Sequence, residues 1–516
     1  MARHVSPRIG PAQRLLNVLW RDRRIGGAGV TVLVLLLGLA IAHTMPRGPA
    51  TAAQALLTMA SSLIVGGVAG LILRSRWAMV ITPLVYMIAV EIGRWGIVGP
   101  TVDAPRLNEP FGVLALILGR GFHGLVGVLP LVVGSAWGVA MAQPAPPAGS
   151  TRPFSTPGRW AIATTIGLAL LALLIALPAS TPPILGEDGK PVPGSIAQLE
   201  KVRLGGQDQW IMLRGYSVDR PVILYLSGGP GQSDLPYSRV LFEDLSRDFV
   251  VVSWDQRGTG KSYAALDPTA TLTLDQAIAD TIELTQYLCD RFDEQKIYLL
   301  GESWGSTLGV LAVQRQPELY YASIGSGQMV SQRETDRRIY RDLLALAAQE
   351  NDTALATKLQ SYGEPPYGDI PYANAFVMGQ YERLYQPYTP PQSYIQRGTT
   401  ANLGPWGILG REYNLVEKVN VLRGLIDMFS ILYPQLQTLD FRQTVTQLEV
   451  PVYLLDGTAE LKGRRDLALA WFEQLQAPHK QRFVFENAAH SVAFEQFELL
   501  SKLMVDIVLP ETYPQP

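Results

Sequence analysis

Five apolar stretches crowd the first third of the chain, at about 27–45, 52–73, 77–98, 112–142 and 160–178. Each reaches the ~20 residues a helix needs to cross the hydrocarbon core of a bilayer. Almost no polar face is left on them to meet water, which excludes buried helices of a soluble globule. The pattern predicts a membrane domain of about five transmembrane helices over 27–178, after a basic leader at 1–26.

Charge supports that division. Residues 1–180 hold fourteen Arg, no Lys and four acids, a net of +10, while the remainder carries 29 bases and 41 acids, a net of −12. The near-neutral total of −2 therefore averages two unlike parts. Arg3, Arg8, Arg14, Arg21, Arg23, Arg24, Arg74, Arg76, Arg152 and Arg159 fall on one side of a five-span arrangement, against Arg47 and Arg106 on the other. By the positive-inside rule the N-terminus is cytoplasmic, and an odd span count delivers the remainder outside. Ionisable groups within spans are costly. Glu91 and Arg94 lie three apart, a spacing at which they can pair, and Arg120 and His123 repeat it.

Two Pro-rich connections follow, 143–158 and 179–195, the second a semi-extended linker. From 196 the pattern changes to short apolar runs alternating with helical stretches: AQLEKVRLGG, QWIMLRG, PVILYLS, FVVVSW, KIYLL, YASIGSG, VPVYLLD and RFVFE. Such alternation predicts a mostly parallel sheet covered by helices on both faces. The stretch 328–445 contains no convincing strand, and reads as a helical lid inserted between core segments 196–327 and 446–516.

Three loops carry the chemistry. KIYLL runs into Gly301-Glu302-Ser303-Trp304-Gly305 and then a helical segment, the G-x-S-x-G turn that lifts a serine hydroxyl above a sheet. Ser303 is the expected nucleophile. The loop Gly228-Gly229-Pro230-Gly231 would supply one N–H to the oxyanion of an acyl-transfer intermediate, with Gly229 favoured over Gly228, and Trp304 would supply the other. Asp255-Gln256-Arg257-Gly258-Thr259-Gly260-Lys261-Ser262 lacks the phosphate-loop spacing and reads as structural, with Arg257 as its anchor.

A serine nucleophile needs a base, and the chain has five histidines. His4, His43 and His123 lie in the leader or the apolar third, and His479 sits in a polar turn. His490, in the loop after RFVFE, is the expected base. The orienting acid falls between serine and histidine in this fold. Asp456 and Glu460 compete at the end of VPVYLLD, and Glu460, beyond the turn glycine Gly457, is favoured. Cys289 is the only cysteine, so no intramolecular disulfide or cysteine metal cluster can form.

Gly-Gly-Pro-Gly after a strand, Asp-Gln-Arg-Gly-x-Gly-x-Ser, and Gly-x-Ser-Trp-Gly-Ser-x-Leu together resemble the proline iminopeptidase family of α/β hydrolases over about 196–516. The resemblance implies a serine, acid and histidine triad, falling on Ser303, Glu460 and His490. It also implies release of N-terminal residues, with the free amine read by carboxylates near the lid; Glu334, Glu382 and Glu412 are the candidates. Two departures stand out. The family usually has His where Ser227 precedes the glycine loop, and Asp where Glu460 stands.

The expectation is thus a multi-span α-helical membrane domain followed by an α/β-hydrolase domain, acting as an extracytoplasmic aminopeptidase. Its partners would be a peptide or small acyl substrate and the lipid bilayer, with no nucleic acid, metal or cofactor. An esterase or lipase using the same triad is the first alternative, and a non-catalytic transport or signalling protein the second. Epoxide- and halide-opening hydrolases are disfavoured because they carry Asp where this chain has Ser303.

Overall fold

The computed structural model describes residues 19–143 and 156–514. Arg3, Arg8, Arg14, His4 and Arg152, and most of the 143–158 connection, lie outside the described residues. The chain divides into two compact units, Met1–Asp103 with Leu116–Leu177, and Ala104–Ala115 with Pro178–Pro516.

Helices occupy all five apolar stretches. Three are long and apolar enough to cross a membrane: Arg23–Thr44, Ala52–Leu73 and Pro110–Met141. Ala78–Gly93 and Trp160–Ala176 are shorter apolar helices. Pro110–Met141 is continuous despite Arg120 and His123, passing through two π-turn segments at Ile117–Gly121 and Gly124–Val128. Small residues let two of these helices touch. A Cβ on Gly66 or Gly70 would lie 2.2 or 2.1 Å from the carbonyl oxygens of Leu131 and Ser135. On the facing helix, a Cβ on Gly134 or Gly138 would lie 2.1 or 2.0 Å from Leu63 O and Gly67 O. Each helix thus offers a small-x-x-x-small stripe to the other, the close packing favoured where burial of apolar surface gives no preference.

Glu91 pairs with Arg94, and Arg120 Nε joins the same carboxylate at 3.0 Å. His123 bonds elsewhere, to the Tyr86 hydroxyl at 2.7 Å.

The second unit is built on an eight-stranded sheet of order β1-β2-β4-β3-β5-β6-β7-β8. The strands are β1 Ile196–Leu204, β2 Gln207–Gly215, β3 Val222–Leu226, β4 Val250–Asp255, β5 Ile297–Glu302, β6 Tyr320–Ser326, β7 Val452–Gly457 and β8 Lys480–Phe485. Only the β1–β2 and β2–β4 pairs are antiparallel; every other pair is parallel. All eight strand candidates are strands. β3, β4, β5 and β7 are buried at every position, which explains their unbroken apolar runs. Helices such as Leu274–Phe292, capped by Thr273 Oγ on Gln276 N–H, cover the faces. Between β6 and β7 the chain runs through helices from Gln332–Gln349 to Phe441–Thr444.

The segment after residue 178 is not a free spacer. Ser180 N–H donates to Arg411 O at 2.9 Å, Arg214 Nη1 donates to Pro182 O at 2.7 Å, and Leu185 and Pro191 form an antiparallel bridge. Proline fixed φ there, but the backbone found partners within the second unit.

Candidate active site

The parallel strands end on one edge of the sheet, and the loops leaving β3, β5, β7 and β8 meet there. Ser303 stands between β5 and the helix Trp304–Arg315 at φ +52°, a left-handed conformation uncommon outside glycine. That turn is held from both sides. Ser303 N–H donates to Ser326 O at 3.0 Å, and Ser306 Oγ donates to Ser303 O at 2.6 Å. Side chains at the flanking glycines have no room. A Cβ on Gly305 would lie 2.0 Å from Leu226 O, and one on Gly301 2.4 Å from Gly305 O.

The glycine loop after β3 presses on this turn, since a Cβ on Gly228 would sit 3.4 Å from Ser303 Cβ. Gly229 has φ +116° and lines a cavity of about 420 Å³ together with Ser303 and His490. Trp304 opens the helix, where backbone N–H groups lack helical partners. Its indole donates to Gln256 Oε1 at 2.9 Å, and Gln256 Nε2 donates to Ser227 O at 3.3 Å. The third loop thereby braces the other two. Arg257 is buried in an ion pair with Asp280, Nε to Oδ2 2.7 Å, and also donates to Leu204 O; it anchors the loop.

Beyond β7, Glu460 Oε2 accepts a hydrogen bond from His490 Nδ1. Its Oε1 accepts from Leu461 N–H at 2.7 Å and from the Tyr385 hydroxyl at 3.1 Å. The competing Asp456 turns away to Arg465 and Arg482. His490 packs so tightly on the backbone after β6 that a Cβ on Gly327 would lie 2.9 Å from its Nδ1. His479 is remote and half-exposed, 3.5 Å from Glu511.

Burial lowers His490, and the neighbouring Arg464 guanidinium lowers it further, against the opposing pull of Glu460. Burial works the other way on Glu460, but the charges of His490 and Arg464 outweigh it and hold the carboxyl at about 2. A neutral imidazole beside an ionised carboxylate is the resting state that follows. Such an arrangement can accept a proton from a hydroxyl on the same cavity.

The cavity has its own acidic wall. Asp234 accepts from Tyr225 at 3.1 Å and Gln232 at 2.9 Å, and burial raises it to about 6. Glu302, 3% exposed, is raised well above the usual carboxylate range by burial and then by the Asp234 charge. Its Oε2 has no hydrogen-bond partner. The three lid carboxylates do not line the cavity. Glu334 pairs with Arg338 at 3.1 Å along its helix, Glu382 faces outward, and Glu412 is fully buried against Arg239. Arg464, Tyr385, Asp234 and Glu302 escaped the sequence reading. Only two left a trace there: Glu302 inside the serine motif, and Arg464 one helical turn past Glu460. Among the described residues no three His, Cys, Asp or Glu side chains gather as metal ligands would.

A sheet in this order, a serine on a tight strand-to-helix turn and a histidine–carboxylate pair on the same edge make up the α/β-hydrolase fold, and the protein is a hydrolase enzyme. The family model described as alpha/beta hydrolase fold matches residues 221–339. The chain is 29% identical over 311 residues to "Probable aminopeptidase YbaC" of Bacillus subtilis (strain 168), covering 60% of this chain and 96% of that protein. It is 27% identical over 313 residues to the proline iminopeptidase of Lactobacillus delbrueckii subsp. lactis, covering 58% of this chain and 96% of that one. A solved structure of a proline iminopeptidase-related protein from Thermus thermophilus aligns with TM-score 0.44 and 20% identity, over 62% of this chain and 99% of that one.

Proposed function

We propose that the protein is a membrane-tethered, extracytoplasmic serine aminopeptidase that releases N-terminal residues through an acyl-enzyme. The observation that carries this reading is one cavity holding Ser303, a neutral His490 oriented by Glu460, and a buried acidic wall of Asp234 and Glu302. Ser303 Oγ attacks the carbonyl carbon of the first residue while His490 Nε2 takes its proton. Gly229 and Trp304 N–H groups receive the oxyanion. His490 returns the proton to the departing amine, and water then hydrolyses the ester by the same path. The substrate ammonium sits against Glu302 and Asp234, where its positive charge compensates carboxylates that burial otherwise disfavours. The relatives named aminopeptidase and proline iminopeptidase agree with that chemistry.

Three helices of spanning length support a membrane tether. The Arg distribution supports a cytoplasmic N-terminus and an external hydrolase. A C-terminal fusion reporting a cytoplasmic location would overturn that topology.

An esterase of small acyl groups is the second reading, favoured by the apolar side of the cavity, Met329, Leu422, Leu425, Phe429 and Phe494. The full-length protein in detergent, assayed on aminoacyl anilides and their N-acetyl counterparts, separates the two. Turnover of the free-amine series alone supports the aminopeptidase, and equal turnover of both removes the requirement for an amine. Ser303→Ala is the control.

A further inference from the structure

A glutamate carries one more methylene than aspartate, so the carboxylate of Glu460 has an extra torsion to fix before it can hold an imidazole. The surroundings supply that constraint on one oxygen only. Oε2 faces His490, while Oε1 takes Leu461 N–H at 2.7 Å, the Tyr385 hydroxyl at 3.1 Å and Arg464 Nη1 at 3.5 Å. Arg464 Nη1 also lies 3.0 Å from the Tyr385 oxygen. Arginine has no acceptor, so the tyrosine oxygen accepts from Arg464 and its proton points at Glu460. The polarity is therefore fixed: the guanidinium donates to the phenol, and the phenol and the imidazole Nδ1–H both donate to the carboxylate.

The two outer members come from different parts of the chain. Arg464 lies one turn after Glu460 on the helix Lys462–Gln474, with its guanidinium 4.9 Å from the Tyr381 ring. Tyr381 and Tyr385 bound a five-residue helix in the insertion between β6 and β7. Both tyrosines and Arg464 line the cavity that holds Ser303. Arg464 Nε has no hydrogen-bond partner although it is buried.

We infer that Arg464 and Tyr385 are positioning residues for the Glu460 carboxylate, and that Tyr385 makes the orientation of His490 depend on the helical insertion being seated over the cavity. The inference rests on Ser303, His490 and Glu460 acting as the triad. Tyr385 both lines the cavity and bonds the acid, so one side chain joins the substrate space to the orientation of the base.

Arg464 also acts through charge. The groups around His490 are Glu460 and Arg464 beyond β7, Ser303 and Glu302 on the elbow, and Glu495, whose carboxylate accepts from Ala489 N–H next to the histidine. Arg464 is the cation of that set and opposes protonation of the imidazole.

The test measures kcat and KM across pH for the full-length protein and three variants. Arg464→Gln should move the acid limb of kcat/KM to higher pH, because the charge opposing imidazolium is gone, and Arg464→Lys should keep the limb near its original place. Tyr385→Phe should lower kcat about tenfold with KM changed less than about twofold, the loss of one hydrogen bond to a charged group. An unmoved limb in Arg464→Gln overturns the role of Arg464. If that variant does not fold, Arg464→Lys and Tyr385→Phe still decide. A rise in KM alone for Tyr385→Phe makes Tyr385 a substrate contact and overturns its positioning role. Full activity in Ser303→Ala would instead overturn the triad on which the inference stands.

Discussion

Glu302→Gln tests where the substrate ammonium is held. Glu302 precedes the nucleophile, lines the cavity, is 3% exposed, and has a buried Oε2 with no hydrogen-bond partner. A unit charge about 4 Å away at an effective dielectric near 20 gains roughly 4 kcal/mol, of which desolvation of the ammonium and ionisation of the buried Glu302 consume a large part. Charge-assisted hydrogen bonds retain about 1.5–3 kcal/mol net, and about 2 kcal/mol corresponds to roughly 30-fold. The kcat/KM for a free-amine anilide should therefore fall by that factor relative to its N-acetyl counterpart. Stability should not fall with it. Burial raises the folded-state pKa of Glu302, so its stabilising contribution is present at low pH and is lost as pH rises past the unfolded value. At pH 7 the unfolded chain gains by ionising this group while the folded one resists. Replacing the carboxyl by an amide removes a group that only the unfolded chain ionises freely, so the folded state at pH 7 is as stable as before, or more so. The assay is steady-state kinetics on the paired substrates, with thermal unfolding alongside. An equal fall for both substrates, or a lowered Tm at pH 7, would refute the reasoning.

Three further outcomes follow from the same geometry. Since burial and Arg464 lower His490, the acid limb of kcat/KM should lie below the ordinary histidine value of ~6.5, and a limb above it in a pH–rate profile would contradict this. Glu460→Gln should lower kcat by on the order of 10³- to 10⁴-fold, whereas Asp456→Asn, which touches only Arg465 and Arg482, should leave kcat within about threefold; single-turnover kinetics distinguish them. Asp280→Ala strands the buried Arg257 guanidinium and should cost about 3–5 kcal/mol by denaturant unfolding, because breaking one side of a buried pair leaves an uncompensated charge.

What the residues disclosed in advance was decided by how local the signal is. Strands buried on both faces announce themselves as apolar runs, and the serine turn needs two glycines at fixed places, so both were legible. His490 followed from elimination, because the histidine count is small. Glu460 was separated from Asp456 by the turn glycine between them, and the arginines that claim Asp456 explain the outcome. Carboxylates that could read an amine were expected in the lid, whereas the cavity that holds Ser303 is lined by Asp234 and Glu302. Whether a lid side chain faces a cavity depends on how its helix packs, and Glu334, Glu382 and Glu412 are each directed elsewhere. Glu302 was overlooked because it fills a variable position of the serine motif. Tyr385 lies 75 residues from the carboxylate it holds, and no spacing rule reaches that far. In the first unit the Glu91–Arg94 pair followed from helical spacing, but Arg120 reached the same carboxylate from 29 residues away.

The central claim is that Ser303 forms the acyl-enzyme. The most direct measurement is mass spectrometry of the full-length protein after reaction with a fluorophosphonate probe. The account predicts one adduct, on Ser303, formed by the wild type and absent from Ser303→Ala, with labelling slowed by Glu460→Gln. An unlabelled wild type, or an adduct that persists in Ser303→Ala, would contradict it.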